Sequence, residues 1–153
     1  VKQELKVSKI RHGTVIDHIT AGMAPLVLRI LGINQGFSDV VVVAMNVRSN
    51  RLGCKDVVKI ENVVLSEKEL QKISIIAPNA VVNIIDGFEV VEKREVSCPH
   101  ELEGIVRCPN RNCISSDPTE KATTFFRCET HDPLRLRCHY CEVLIDSSQA
   151  EII

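Results

Sequence analysis

Valine and isoleucine set the rhythm of the first two thirds of this chain, which switches between every-second-residue alternation and helical spacing with turn residues at each switch. Val15 and Ile16 lie in a stretch that predicts a strand. Residues 21–31 then place Met23, Leu26, Val27, Ile30 and Leu31 on one helical face, with Pro25 tolerated near a helix start and Gly32 suited to its end. Residues 40–47 are too rich in β-branched side chains for a comfortable helix; they predict a buried strand that stops at Ser49, Asn50 and Gly53. A further strand is predicted over 56–61. Ser66-Glu67-Lys68-Glu69 has the form of a capping box: the Ser66 hydroxyl serves the third helical amide and Glu69 reaches back. Leu70, Ile73 and Ile76 follow at helical spacing, and the helix must end before Pro78. Residues 81–85 and 88–93 predict a hairpin closed at Asp86-Gly87, a turn whose backbone needs positive φ.

The order β-α-β-β-α-β plus one strand predicts the α+β class: an open, largely antiparallel sheet with two helices on one face, the ferredoxin-like split β-α-β arrangement, over residues 1–97. An edge of such a sheet needs cover, and a second copy of the chain supplies it by pairing, so a homodimer is expected.

Alternation stops at Ser97-Cys98-Pro99-His100, which reads as a connector to a second domain at 98–153. A segment this short is hard pressed to build a self-sufficient core, and a structural metal is the usual remedy. Cys108-x4-Cys113 and Cys138-x2-Cys141 are two close-set pairs of the kind that wraps one tetrahedral Zn²⁺, rather than free thiols or an iron–sulfur cluster. One structural zinc per chain is expected, with four thiolates and no open position for water. Cys128, His131 and His139 are rival ligands; His139 lies inside the 138–141 turn and His131 has no close-set partner, so the four cysteines are preferred. Arg107, Arg111, Arg135 and Arg137 offset the charge of such a site. Residues 123–127 and 134–137 alternate like antiparallel strands, making this a small all-β module.

Composition narrows the function. The chain has 153 residues, 44% hydrophobic, and a net charge of −1, so it has no global attraction to nucleic acid or anionic membrane. Aromatics total 3% and tryptophan is absent, leaving few platforms for stacking bases. No apolar run reaches the ~18 residues of a membrane span, and the segment VKQELKVSKI is charged rather than signal-like, so a cytoplasmic location is expected. Seven cysteines less four ligands leaves Cys54, Cys98 and Cys128, which cannot all pair, so a disulfide framework is not expected. No nucleophile–base pair is visible. Lys55 and Lys59, four apart on one strand, share a face, and Lys93 closes the last strand; these lysines either bracket a polyphosphate or are solvated surface residues. Asp17 marks a strand end or accepts from a ribose hydroxyl, and Asn83 offers both donor and acceptor.

Four segments carry a specific likeness: GTVIDHI at 13–19, KDVVKIEN at 55–62 leading into LSE, APNAVVNIID at 77–86, and CPNRNCI with LRCHYCE. In these, and in their order, the chain resembles the regulatory chain of aspartate carbamoyltransferase over essentially its whole length. The resemblance implies a non-catalytic allosteric subunit in pyrimidine biosynthesis: a regulatory homodimer whose N-terminal domain binds ATP, CTP and UTP and whose zinc domain docks on the catalytic chain. It further implies that Asp17 and Lys59 contact ribose, that Lys93 and Asn83 contact phosphate, and that His18 and Lys55 belong to the same pocket. Ile10, Val15, Ile85, Phe88 and Val90 are its implied walls, with the base read by main-chain groups near Ile10 and Phe88.

Overall fold

A computed structural model describes residues 10–50 and 53–153; the charged N-terminal segment read above lies, apart from Ile10, outside the described residues. The chain divides into two compact units, Val1–Leu65 with Asn79–Glu95, and Ser66–Pro78 with Val96–Ile153.

The first unit is built from β1 (His12–Thr20), α1 (Ala24–Ile30), β2 (Val41–Ser49), β3 (Gly53–Glu61), β4 (Val81–Asp86) and β5 (Glu89–Glu95). Its five strands lie in the order β2-β3-β1-β4-β5, every neighbouring pair antiparallel. Ile16 pairs with both Val58 and Val82, and these three stand at 0–2% exposure, so one face of the sheet is core. Ala24 and Val27 of α1 are equally buried. The helix is shorter than its apolar spacing predicts: Met23 is the N-cap and Pro25 stands in the first turn, while residues 21 and 22 form the turn that leads in.

Three register breaks interrupt this sheet, between Ile16 and Ile19, between Ala44 and Val47, and between the Ile84–Glu92 and Ile85–Val90 pairs. An extra residue in one strand lets side chains three apart share a face, which strict alternation forbids. His18 and Asn46 stand in the first two breaks with φ of 56° and 59°.

Asp56 anchors this region. It is fully buried, and its carboxylate accepts from the amides of Gly22 at 2.9 Å, Ala24 at 3.0 Å and Asn46 at 3.0 Å. One side chain therefore ties the entry of α1 to the bulge of β2.

The hairpin turn falls one residue later than predicted. Asp86 stays in the ladder opposite Glu89, so the two-residue loop is Gly87-Phe88, with φ of 60° and 65°. Positive φ at both central residues is the type I′ requirement, and it draws Phe88 out of the strand. The Phe88 amide donates to the Arg11 carbonyl at 3.1 Å.

The second unit contains α2 (Glu67–Ile76), β6 (Glu101–Glu103), β7 (Val106–Arg107), a 3-10 turn (Ile114–Ser116), β8 (Phe125–His131), β9 (Leu134–Cys138), β10 (Leu144–Asp146) and β11 (Glu151–Ile152). Its strands form a four-stranded sheet in the order β10-β9-β8-β6 and a β11-β7 pair. The capping box forms as written in the sequence: the Glu69 amide donates to Ser66 Oγ at 3.2 Å and the Ser66 amide to Glu69 Oε1 at 3.0 Å. Ile75 of α2 joins Leu102, Ile105, Phe126, Leu136 and Ile145 in one buried cluster. The unit is thus not wholly β; it draws a helix from before β4. No helix among the described residues is long and apolar enough to cross a membrane.

Candidate functional site

The face of the first sheet opposite the core carries a half-open cavity of about 440 Å³. Strand pairing explains its composition. Lys59 of β3 is opposite both Val42 of β2 and Val15 of β1; Val15 is opposite Asn83 of β4, and Asn83 opposite Lys93 of β5. Directly paired residues of antiparallel strands point the same way, so Val42, Lys59, Val15, Asn83 and Lys93 form one row across all five strands. Next to this row stand Asp17, Lys55 and Val57 on one side and Ile85 with Val90 on the other.

Val15, Asp17, Lys55, Lys59, Asn83, Ile85 and Val90, each singled out from sequence, line this cavity. Lys93 shares the face but is not part of the lining. Ile10 is buried just before β1, His18 sits in the β1 bulge, and Phe88 stands 55% exposed at the hairpin tip; these three do not line it either. Sequence reasoning missed Val42, Ala44, Val47 and Val57. Val57 was within reach, because it lies midway between the two lysines on one strand. Val47 was not, because only a bulge puts it, three residues beyond Ala44, on the same face.

Charge in the cavity is arranged before any ligand arrives. Lys55 Nζ lies 2.9 Å from Asp17 Oδ1, and the His18 amide donates to the same oxygen at 2.7 Å. Burial works to raise the Asp17 carboxyl, but the Lys55 hydrogen bond and the His18 amide outweigh it and hold the group below the usual carboxylate range. His18 Nδ1 stands 3.8 Å from that carboxylate and is buried without a hydrogen-bond partner. Lys59 has no such carboxylate among the ion pairs of the described residues, so its charge faces the hollow. The cavity therefore offers ammonium groups over an apolar floor, which suits an anion with a hydrophobic part.

The second unit holds a separate constellation. Cys108 follows β7, Cys113 caps the 3-10 turn, Cys138 ends β9 and Cys141 lies in the turn beyond it. Backbone bonds from Cys113 to Asn110 and from Cys138 to Val143, both 3.0 Å, shape the two turns. The four sulfurs lie within 4.8 Å of one another, with Cys108 to Cys141 at 3.6 Å and Cys113 to Cys138 at 3.7 Å. Tetrahedral coordination at about 2.3 Å per sulfur spaces the sulfurs about 3.8 Å apart, so the residues fit one bound ion. Burial pushes the Cys108 and Cys138 thiols up. Cys141 is also raised by burial, but the Val143 amide, Asn110 and the neighbouring thiols bring it down to about 7. Thiols so crowded need a cation to ionise together.

The rival ligands are occupied elsewhere. The His139 ring packs edge-on against Phe125 at 5.2 Å, and His131 Nε2 contacts the Cys98 carbonyl at 2.9 Å. Arg107 and Arg137 meet Glu151 at 3.5 Å and Glu129 at 2.8 Å. Cys98 is pushed up to about 12 by burial and then by Cys128, which leaves it an inert thiol at neutral pH.

One unit thus carries a four-cysteine cluster suited to a bound metal ion, and the other a lysine-bearing hollow suited to an anion. Residues 5–97 match the family described as aspartate carbamoyltransferase regulatory chain, allosteric domain, and residues 100–151 match its metal binding domain. The chain is 52% identical over 151 residues to the aspartate carbamoyltransferase regulatory chain of Methanocella arvoryzae, covering 98% of this chain and 96% of that one. It is 49% identical to the protein of the same name from Ignicoccus hospitalis, covering 96% of this chain and 94% of the relative. A like-named relative from Saccharolobus islandicus is 49% identical over 94% of this chain and 90% of its own length. The chain belongs to the family of aspartate carbamoyltransferase regulatory chains, with an allosteric and a metal-binding domain.

Proposed function

We propose that this chain is the non-catalytic allosteric subunit of a cytoplasmic aspartate carbamoyltransferase, acting in pyrimidine biosynthesis, and that the sheet-face cavity is its nucleotide site. The observation that carries the reading is the single row Val42–Lys59–Val15–Asn83–Lys93, which sets cationic and amide groups beside an apolar floor. ATP, CTP and UTP share what such a hollow recognises, a polyphosphate and a ribose, with Lys59 and Asp17 on the sugar and Asn83 and Lys93 on the phosphates. His18 and Lys55 complete the polar set, and Ile10 and Phe88 supply main-chain groups to the base from the rim.

The strand order supports a ferredoxin-like reading of the effector domain, taken as residues 1–97, with the zinc domain at 98–153. β5 is a sheet edge exposed along its whole length, which suits pairing with a second copy. Zinc suits the metal site because four thiolates at these separations favour a tetrahedral ion and leave no position for water. Docking on the catalytic chain then depends on that ion, which would join the 108–113 and 138–141 loops.

Effectors act only through unequal affinity for two quaternary states, and coupling of about 1–3 kcal/mol shifts activity several-fold. Calorimetry with CTP and ATP tests the site. Lys59→Ala is expected to weaken both by about tenfold or more; unchanged affinity in this variant rejects the pocket.

A further inference from the structure

We propose that the metal-binding unit carries a second ligand site, a pocket for a small oxyanion that retains a hydrogen, of the hydrogen phosphate class. The pocket has about 420 Å³ and is lined by Arg107, Ser115, Ser116, Thr123 and Thr124 among others. It lies in a different unit from the lysine hollow and uses none of its residues.

Thr124 is 8% exposed, and its Oγ1 is buried without a hydrogen-bond partner. A buried hydroxyl left unpaired is costly, so a polar occupant is expected there. The backbone around it is fixed in advance: the Thr124 carbonyl accepts from Gly104 at 2.8 Å and the Thr123 carbonyl from Tyr140 Oη at 2.8 Å. Arg107 supplies the positive charge. Its contact with Glu151 is 3.5 Å long between side chains 62% and 70% exposed, a pair too loose and wet to compete with an oxyanion in the planar guanidinium fork.

Ser116 sets the protonation state of the ligand. Ser116 Oγ donates to the Asn110 carbonyl at 2.9 Å, so toward the pocket it has only lone pairs. An occupant that satisfies the pocket accepts from Arg107 and Thr124 and donates to Ser116. Hydrogen phosphate does both. Sulfate, of similar size and charge, has no hydrogen to give near pH 7.

The test is calorimetric titration of the metal-loaded full chain with inorganic phosphate and, separately, sulfate. It is run in a Lys59→Ala/Lys93→Ala background so that the lysine hollow does not contribute. One phosphate site is expected, favoured over sulfate by about tenfold for the one extra hydrogen bond. Arg107→Gln should weaken it by about tenfold or more, and Thr124→Val by several-fold, while Thr124→Ser retains it. Thr124→Ser with intact metal content keeps the test decisive if Arg107→Gln folds poorly. Equal affinity for phosphate and sulfate, phosphate binding indifferent to Thr124→Val, or no phosphate site in this background overturns the proposal.

Discussion

Replacing Asp56 by alanine removes the acceptor of three backbone amides at once, those of Gly22, Ala24 and Asn46. Hydrogen bonds to a charged group contribute about 1.5–3 kcal/mol each, and a buried donor left unpaired loses its solvation as well. Gly22 and Asn46 are exposed residues whose amides regain water in part, whereas Ala24 is fully buried and its amide has no route to solvent. The expected loss is therefore about 3–5 kcal/mol rather than the full sum. Asp56→Asn should lose less, about 1–3 kcal/mol, since its one acceptor oxygen can keep the Gly22 and Ala24 bonds while its NH2 faces the Asn46 amide. Asp39→Ala, which removes only the exposed contact from Asn62 Nδ2 at 3.1 Å, serves as control and should stay within about 0.5 kcal/mol. Urea denaturation followed by far-UV circular dichroism gives the stabilities, and amide exchange reports Gly22, Ala24 and Asn46 one by one. A loss under about 1 kcal/mol, with those amides still protected, refutes the reasoning.

Three further outcomes are expected. Asp17 is held below the usual carboxylate range in the folded chain, so its contribution to stability is complete above about pH 4 and is lost on acidification through the folded value. The stability difference between wild type and Asp17→Asn should accordingly be flat from pH 5 to 7 and shrink below about pH 4; a difference that widens on acidification contradicts the ion pair. Burial holds Cys108 and Cys138 protonated in the metal-free chain, so metal uptake should release protons and weaken as pH falls from about 8 to 6, measured by calorimetry in buffers of different ionisation enthalpy. Ile75→Ala should destabilise the metal-binding unit by about 2–4 kcal/mol without altering nucleotide affinity, and an unaffected unit would remove α2 from its core.

Much of this architecture was legible in the chain. The capping box at Ser66 and the strands around Val15, Val43 and Val58 follow from local chemistry, and the metal site from spacing alone. Lys55 and Lys59 were placed on one face by counting, and β3 keeps that count because it runs unbroken between them. The count fails where a strand takes an extra residue. Val90 and Lys93 are three apart, yet the break near Ile84 turns both toward the face of Ile85 and Asn83. Nothing in the local residue types announces such a break, because its position is set by how neighbouring strands register. Phe88 was misplaced for a related reason: a bulky residue at positive φ runs against its own preference, and the ladder at Asp86 imposes it.

The chain enters the metal-binding unit through residues 66–78, leaves it for the last two strands of the sheet, and returns at Val96. A cut at 97/98 would therefore part α2 from the buried cluster that its Ile75 joins. A protein trimmed to the four-cysteine portion would be short of Ile75 and would show an apolar scar where α2 belongs. Grafting that portion onto another scaffold calls for a bipartite transplant, helix and cysteine loops together.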